Sequence, residues 1–200
     1  MLSYVLAFLV MLNPLALFVY VKNIREELPD SDYYKILIKA NIQSFVIYTF
    51  FAVTGAFLFN YVFRIDFESF RIFGGIVLFS LGLVMIIQGR RSVITLKGNL
   101  DDIASEVAIP FIVGPGSITV SIIIGNDFTP FFAVGIIALT MIISFYIVYI
   151  LSILRKRLLH DKARKMFDKK LGVFLRLNGF FIGSIGINMI VTGINNLYIL

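Results

Sequence analysis

The sequence predicts an all-α membrane protein, six transmembrane helices arranged as two inverted-topology three-helix repeats, and three observations carry that expectation. Of 200 residues, 59% are hydrophobic and only 15% charged, whereas soluble globular chains run near about 45–50% and about 25%. Six runs contain no Lys, Arg, Asp or Glu. Related residues recur between the third and sixth runs and between the first and fourth. The mean hydropathy of +0.94 excludes a sizeable soluble domain, because six spans of about 20 residues each leave only short connections. The absence of Cys and the single His exclude disulfide frameworks, thiolate metal sites and His-cluster metal sites.

A charge at the centre of a span costs roughly 2.5–3.5 kcal/mol on insertion scales, so charge-free runs mark the helices. The first, Leu2 to Val21, has no basic segment before it and no small-residue cleavage site after it. It reads as a retained helix and not as a secretory signal. Asn13-Pro14 interrupts it near its middle. The second run is Ala40 to Phe63 and the third Ile72 to Gly89. The fourth, Val107 to Asn126, is interrupted by Gly114-Pro115-Gly116-Ser117. Phe128 to Leu154 and Leu177 to Leu200 complete the set, and Tyr4, Tyr20, Tyr61 and Tyr198 lie near span ends as interfacial anchors.

With six crossings the first, third and fifth connections share one side. They hold Lys22, Arg25, Lys35 and Lys39, then Arg90, Arg91 and Lys97, then nine cations from Arg155 to Arg176, sixteen of the eighteen Lys and Arg. Only Arg64 and Arg71 fall on the other side. The positive-inside rule makes the three basic connections cytoplasmic and puts both termini outside, extracellular or periplasmic. The stretch from Arg155-Lys156-Arg157 to Lys169-Lys170 could alternatively bind anionic lipid or nucleic acid; topogenic charge is preferred, and no nucleic-acid partner is expected.

Phe70-Arg71-Ile72-Phe73-Gly74 matches Leu175-Arg176-Leu177-Asn178-Gly179, followed by Ser80-Leu81-Gly82 against Ser184-Ile185-Gly186 and Met85 against Met189. Asn13-Pro14 falls on Gly114-Pro115, and Ala7 on Ala108. The chain therefore divides into a three-helix repeat over 1–104 and a second over 105–200, within one integral membrane domain. Three is odd, so the second copy enters from the opposite face, the inverted arrangement of many secondary transporters. Chance similarity among Gly- and Leu/Ile-rich helices is the alternative.

Proline lacks an N–H and clashes with the preceding turn, so a new helical segment is expected at each break, with Asn13 or Gly114 as N-cap and Pro14 or Pro115 first in the helix. Free N–H groups and about half a positive charge at such a start suit a carboxylate. Free carbonyls before it, around Met11, Leu12 and Val113, suit an ammonium or a cation. Together they suit a zwitterion, and with no charged side chain in any span an uncharged small solute fits best. Ser117, Thr119, Asn41, Gln43, Asn178 and Asn188 are the polar groups available to complete the site. A plain proline kink with hydrogen bonds between helices is the alternative for either break taken singly. Gly74, Gly75, Gly82, Gly179, Gly183 and Gly186 read as packing positions. Glu106 reads as a first-turn acid favoured by the helix dipole more than as a proton carrier, and His160 as solvated.

Leu12-Asn13-Pro14, Arg71-Ile72-Phe73-Gly74-Gly75, Ala108-Ile109-Pro110 running into Val113-Gly114-Pro115-Gly116-Ser117-Ile118-Thr119, and Arg176-Leu177-Asn178-Gly179 through Asn188-Met189-Ile190-Val191-Thr192-Gly193-Ile194 resemble the MarC family of integral membrane proteins. Leu15-Ala16-Leu17 departs from the small, Gly-containing stretch of that family. The resemblance, which spans nearly the whole chain, implies a plasma (inner) membrane transporter of glycine, alanine and similar small neutral amino acids, driven by a proton or sodium gradient and without a cofactor. It carries Asn13, Pro14, Gly114, Pro115, Gly116 and Ser117 over as substrate-contacting positions; Thr119, Asn41 and Asn188 are added from the spans themselves. An exporter of apolar compounds or antibiotics and a non-transport scaffold are the alternatives. An enzyme is not expected, because no His, Asp, Glu, Lys or Cys stands beside the hydroxyl and amide groups of the spans.

Overall fold

The computed structural model describes residues 1–88, 99–108, 112–158 and 161–199. Gly89, Arg90, Arg91, Lys97, Ile109, Pro110, His160 and Leu200, together with the side chains of Tyr20, Glu106 and Pro115, lie outside the described residues. The described helices are α1 (Leu2–Leu12), α2 (Pro14–Glu27), α3 (Asp30–Phe57, continued by a π-helical turn Leu58–Phe63), α4 (Phe67–Gln88), α5 (Leu100–Val107), α6 (Pro115–Asp127), α7 (Pro130–Arg157) and α8 (Asp161–Ile199). No strand occurs among the described residues. Among the described residues five stretches are long and apolar enough to cross a membrane: Leu2–Glu27 over α1 and α2, then Asp30–Gly55, Phe67–Ile87, Pro130–Arg157 and Lys162–Tyr198. The run expected from Val107 to Asn126 is divided between the end of α5 and the 13 residues of α6, with 109–111 outside the described residues.

Two helices start well before the charge-free runs that announced them. α3 begins at Asp30, with Asp30 and Asp32 in its first turn where the helix dipole favours them. α8 begins at Asp161, so most of the basic stretch read as a loop is helix, which corrects that expectation. Its Phe167 sets its ring edge-on to Phe18, 6.4 Å between centroids, and Leu171 and Leu175 are buried. Those apolar contacts, not the absence of charge, extend the helix to 39 residues, about 58 Å at 1.5 Å per residue against a hydrocarbon core of about 30 Å.

The molecule is apolar outside, and its apolar core encloses a few polar groups. Ile42, Val46, Phe50, Phe73, Ile142 and Ile150 are exposed, whereas Asn13, Ser44, Ser117, Thr119, Ser121, Thr140, Ser144 and Ser152 are buried. An apolar exterior of that extent is lipid-facing surface. Two of the buried hydroxyls turn back on their own helices: Ser44 donates to the Ala40 carbonyl at 2.8 Å and Thr140 to that of Ile136 at 2.8 Å.

α3 and α7 are both 28 residues long and bury the same positions 100 residues apart. Tyr33, Ile36, Leu37, Ala40, Ser44, Tyr48 and Ala52 are buried in one; Ala133, Ile136, Ile137, Thr140, Ser144, Val148 and Ser152 in the other. α1 packs on α7 and α5 on α3; α2 packs on α7 and α6 on α3. α4 and α8 form the most extensive helix pair, and their backbones touch. A Cβ placed on Gly75 would stand 2.6 Å from the Gly186 carbonyl oxygen, and one on Gly82 would stand 2.6 Å from that of Gly179.

The charged residues gather at one end. Lys22 pairs with Asp168 at 3.5 Å, Arg155 with Glu26 at 2.6 Å and with Asp168 at 3.0 Å, and Lys156 with Asp30. Lys39 joins Asp101 of α5, whose start is capped by Asn99 through the backbone N–H groups of Asp101 and Asp102 at 2.9 and 3.0 Å. Elsewhere Tyr4 donates to Asp127 at 2.5 Å, and Glu68 accepts from Arg71 at 2.8 Å and from Asn196 at 3.1 Å.

Candidate functional site

The first break forms because Pro14 supplies no N–H to the carbonyl of Val10 and because Asn13 turns left-handed, φ 46 and ψ 63. Asn tolerates that conformation where most side chains do not. Its own N–H still closes α1 on the Leu9 carbonyl at 3.1 Å, while its Oδ1 accepts the Ala16 N–H at 3.2 Å and so caps α2. The same Oδ1 accepts from Asn178 Nδ2 at 2.5 Å, and Asn13 Nδ2 faces the Met85 sulfur at 3.8 Å. One buried amide therefore joins α1, α2, α4 and α8.

The second break has a different chemistry at the same place in its half. Gly114 is the N-cap and Pro115 opens α6. Gly114 has no side chain to cap with, so Ser117 does the work: its Oγ accepts the Gly114 N–H at 3.0 Å and lies 2.9 Å from the Gly114 carbonyl oxygen. Tyr48, wholly buried in α3, donates to the Ile112 carbonyl at 2.6 Å and shares a hydrogen bond with Ser117 Oγ at 2.9 Å. Its ring stands edge-on to Phe8 of α1, 4.9 Å between centroids. Gly116 lies against α4, where an added Cβ would sit 2.3 Å from a Leu78 methyl.

α4 links the two breaks. Leu78 faces Gly116 and Met85 faces Asn13, seven residues or about 10 Å apart along the helix, and α1 packs on α6. Pro14, Ser117 and Thr119 are buried in this region with Asn13. Asn41 is placed elsewhere: its Nδ2 returns to the Leu37 carbonyl at 2.8 Å, and it lines a groove of about 490 Å³ between α3 and α7 with Phe45, Met141 and Phe145. That groove carries exposed Ile38, Ile42, Ile142 and Tyr146, so it faces lipid rather than the breaks. Asn188 is exposed on α8 beside buried Met189. Tyr48 is not among the tyrosines that the sequence marks as span-end anchors, Tyr4, Tyr20, Tyr61 and Tyr198; its mid-span position is the available signal, because a buried phenol hydroxyl needs a partner. No group of three or more His, Cys, Asp or Glu able to hold a metal occurs among the described residues.

A chain whose described residues are helical, with a lipid-facing exterior and two helix starts packed among apolar spans, is a polytopic integral membrane protein. Residues 1–198 match the model of the MarC family integral membrane proteins, and the chain belongs to that family. It is 30% identical to a UPF0056 membrane protein of Pyrococcus horikoshii, over 96% of this chain and 92% of the relative. A UPF0056 membrane protein of Methanocaldococcus jannaschii is 29% identical over 94% of this chain and 83% of its own length, and one of Aquifex aeolicus 28% identical over 96% and 91%. No solved structure matches the chain.

Proposed function

We propose that this protein is a secondary active transporter of small neutral amino acids, working by alternating access between two inverted repeats. The observation that carries the reading is the pair of helix starts at Pro14 and Pro115, each packed among apolar helices and each at the same place in its half of the chain. A helix start presents N–H groups to a carboxylate, and the end before it presents carbonyls to an ammonium or a coupling cation. The side chains around the breaks, Asn13, Asn178, Met85, Tyr48, Ser117 and Thr119, are uncharged, which favours a solute with no charge beyond its zwitterion.

The inverted repeat is supported by contacts that exchange under it. The sequence match places Gly74 on Gly179 and Gly82 on Gly186, and the contacts made are Gly82 with Gly179 and Gly75 with Gly186, within one residue of the exchange that a two-fold relation between antiparallel helices requires. The matched burial of α3 and α7 supports the same axis. In this reading the fourth span runs through α5 and α6, the basic end is cytoplasmic and both termini lie outside. Among the described residues no general base stands beside Ser117, whose hydroxyl is occupied by Tyr48 and the Gly114 backbone, which favours a carrier over an enzyme.

The test is uptake of labelled glycine and alanine into liposomes bearing the purified protein, with and without an imposed proton or sodium gradient. Accumulation driven by one gradient establishes coupled transport and names the ion; no uptake under any gradient by folded protein overturns the proposal. In the same assay Gly116→Val should lose uptake while inserting normally, because its side chain must displace Leu78 at a packing cost of about 1–3 kcal/mol. An exporter of apolar compounds is the second reading, favoured by the apolar groove between α3 and α7. Competition by apolar drugs with none by glycine would select it.

A further inference from the structure

Where α2, α7 and α8 meet at the charged end there is a cleft of about 300 Å³ that transport at the helix breaks does not use. Small-ligand sites begin at about that size. Five of its lining side chains are cations: Lys22, Arg25, Arg155, Lys156 and Arg164. The two acids in the lining are already engaged, Glu26 by Arg155 at 2.6 Å and Asp30 by Lys156. Asp168, beside them, takes Lys22 at 3.5 Å and Arg155 at 3.0 Å. Three carboxylates against five cations leave the cleft positive.

Arg25 is the least satisfied of the five. Its side chain is 10% exposed, and the Asp30 oxygen nearest its Nη2 lies at 3.6 Å, too far for a hydrogen bond. Its Nη1 is buried with no hydrogen-bond partner at all. The rings of Tyr33 and Tyr34, with centroids 5.1 and 5.4 Å from the guanidinium carbon, hold the group in place without giving it an oxygen. A guanidinium that lines a cleft while its hydrogen-bonding capacity is unfilled is suited to an oxyanion. Arg164, anchored by its Nε on the Leu158 carbonyl at 2.7 Å, brings a second guanidinium from α8.

We propose that this cleft binds a phosphate-class anion, with the Arg25 guanidinium as the principal donor and Lys22, Lys156 and Arg164 completing the positive wall. A phospholipid headgroup and a free phosphate share that chemistry. Because the lining comes from α2 on one side and α7 and α8 on the other, the bound anion ties the first half of the chain to the second.

The experiment is thermal unfolding of the full chain in neutral detergent. Inorganic phosphate is titrated against chloride at equal ionic strength, and phosphatidylglycerol against phosphatidylcholine. At a ligand concentration ten times Kd the midpoint should rise by about 3–6 °C, and Arg25→Gln should remove the rise. A rise with phosphate identifies free anion as a ligand, and a rise with phosphatidylglycerol alone identifies the headgroup; either supports the site. No rise above both controls, or an undiminished rise in folded Arg25→Gln, overturns it. If Arg25→Gln does not fold, Arg164→Gln, at a partly exposed position, gives the same reading: a diminished rise supports the site and an undiminished one refutes it.

Discussion

Asn13 meets four demands with one side chain: it ends α1 at positive φ, caps α2, accepts from Asn178 and faces Met85. Those demands separate by substitution. Asn13→Ala loses the cap and strains the left-handed turn, a cost of about 1–2 kcal/mol. Asn13→Gly loses the same side-chain contacts but adopts the conformation freely, and glycine at an N-cap costs only a few tenths of a kcal/mol against Asn. Thermal unfolding in detergent should therefore place Asn13→Ala below Asn13→Gly. The reverse order would mean that the left-handed turn is not what selects this residue. At this scale the break itself was legible, since Asn-Pro and Gly-Pro-Gly inside apolar runs carry local backbone chemistry. The partners were not: Tyr48 and Asn178 lie 69 and 165 residues from Ser117 and Asn13, and no local rule joins them.

Among the helices, the α4–α8 pair depends on where its small residues fall. Gly179 and Gly183 stand four apart and look equivalent in the sequence, yet they differ in space. A Cβ on Gly179 would meet the Gly82 carbonyl oxygen at 2.8 Å and one on Gly186 the Gly75 carbonyl oxygen at 2.6 Å, whereas a Cβ on Gly183 meets nothing within 4 Å. Backbone cannot yield as a side chain can. We expect Gly186→Ala to lower the unfolding midpoint clearly and Gly183→Ala to leave it nearly unchanged; equal effects would mean the two backbones are not in contact. The extents of α3 and α8 teach the same lesson. Charge-free runs located the membrane-crossing portions and missed the charged helical starts, because packing of Phe167, Leu171 and Leu175 holds those residues in helix where hydropathy is silent.

At the scale of the molecule, the cations divided between the first and fifth connections are brought together by ion pairs: Lys22 to Asp168, Arg155 to Glu26, Lys156 to Asp30. These pairs put both connections at one end. Which end faces the cytoplasm is open to a direct measurement, because the chain has no Cys of its own. Cysteines placed singly at exposed Ser3 and Tyr198 should react with a membrane-impermeant maleimide on intact cells, and one at exposed Lys169 only after lysis. Labelling of Lys169→Cys on intact cells would invert the proposed orientation.

The sequence by itself determined that this chain is helical, that it spans a membrane, and where two of its helices restart. Each of those follows from local physics: the cost of charge in hydrocarbon, the missing N–H of proline, the reach of about 20 residues. Tertiary structure alone decided which polar groups serve the breaks. It drew Asn178 and Tyr48 in, set Asn41 in a lipid-facing groove and left Asn188 exposed. It also decided which carboxylates neutralise the basic end and which guanidinium they leave without a partner. Those choices depend on how helices distant in sequence pack, and a buried polar group is satisfied by whatever that packing brings within about 3 Å of it.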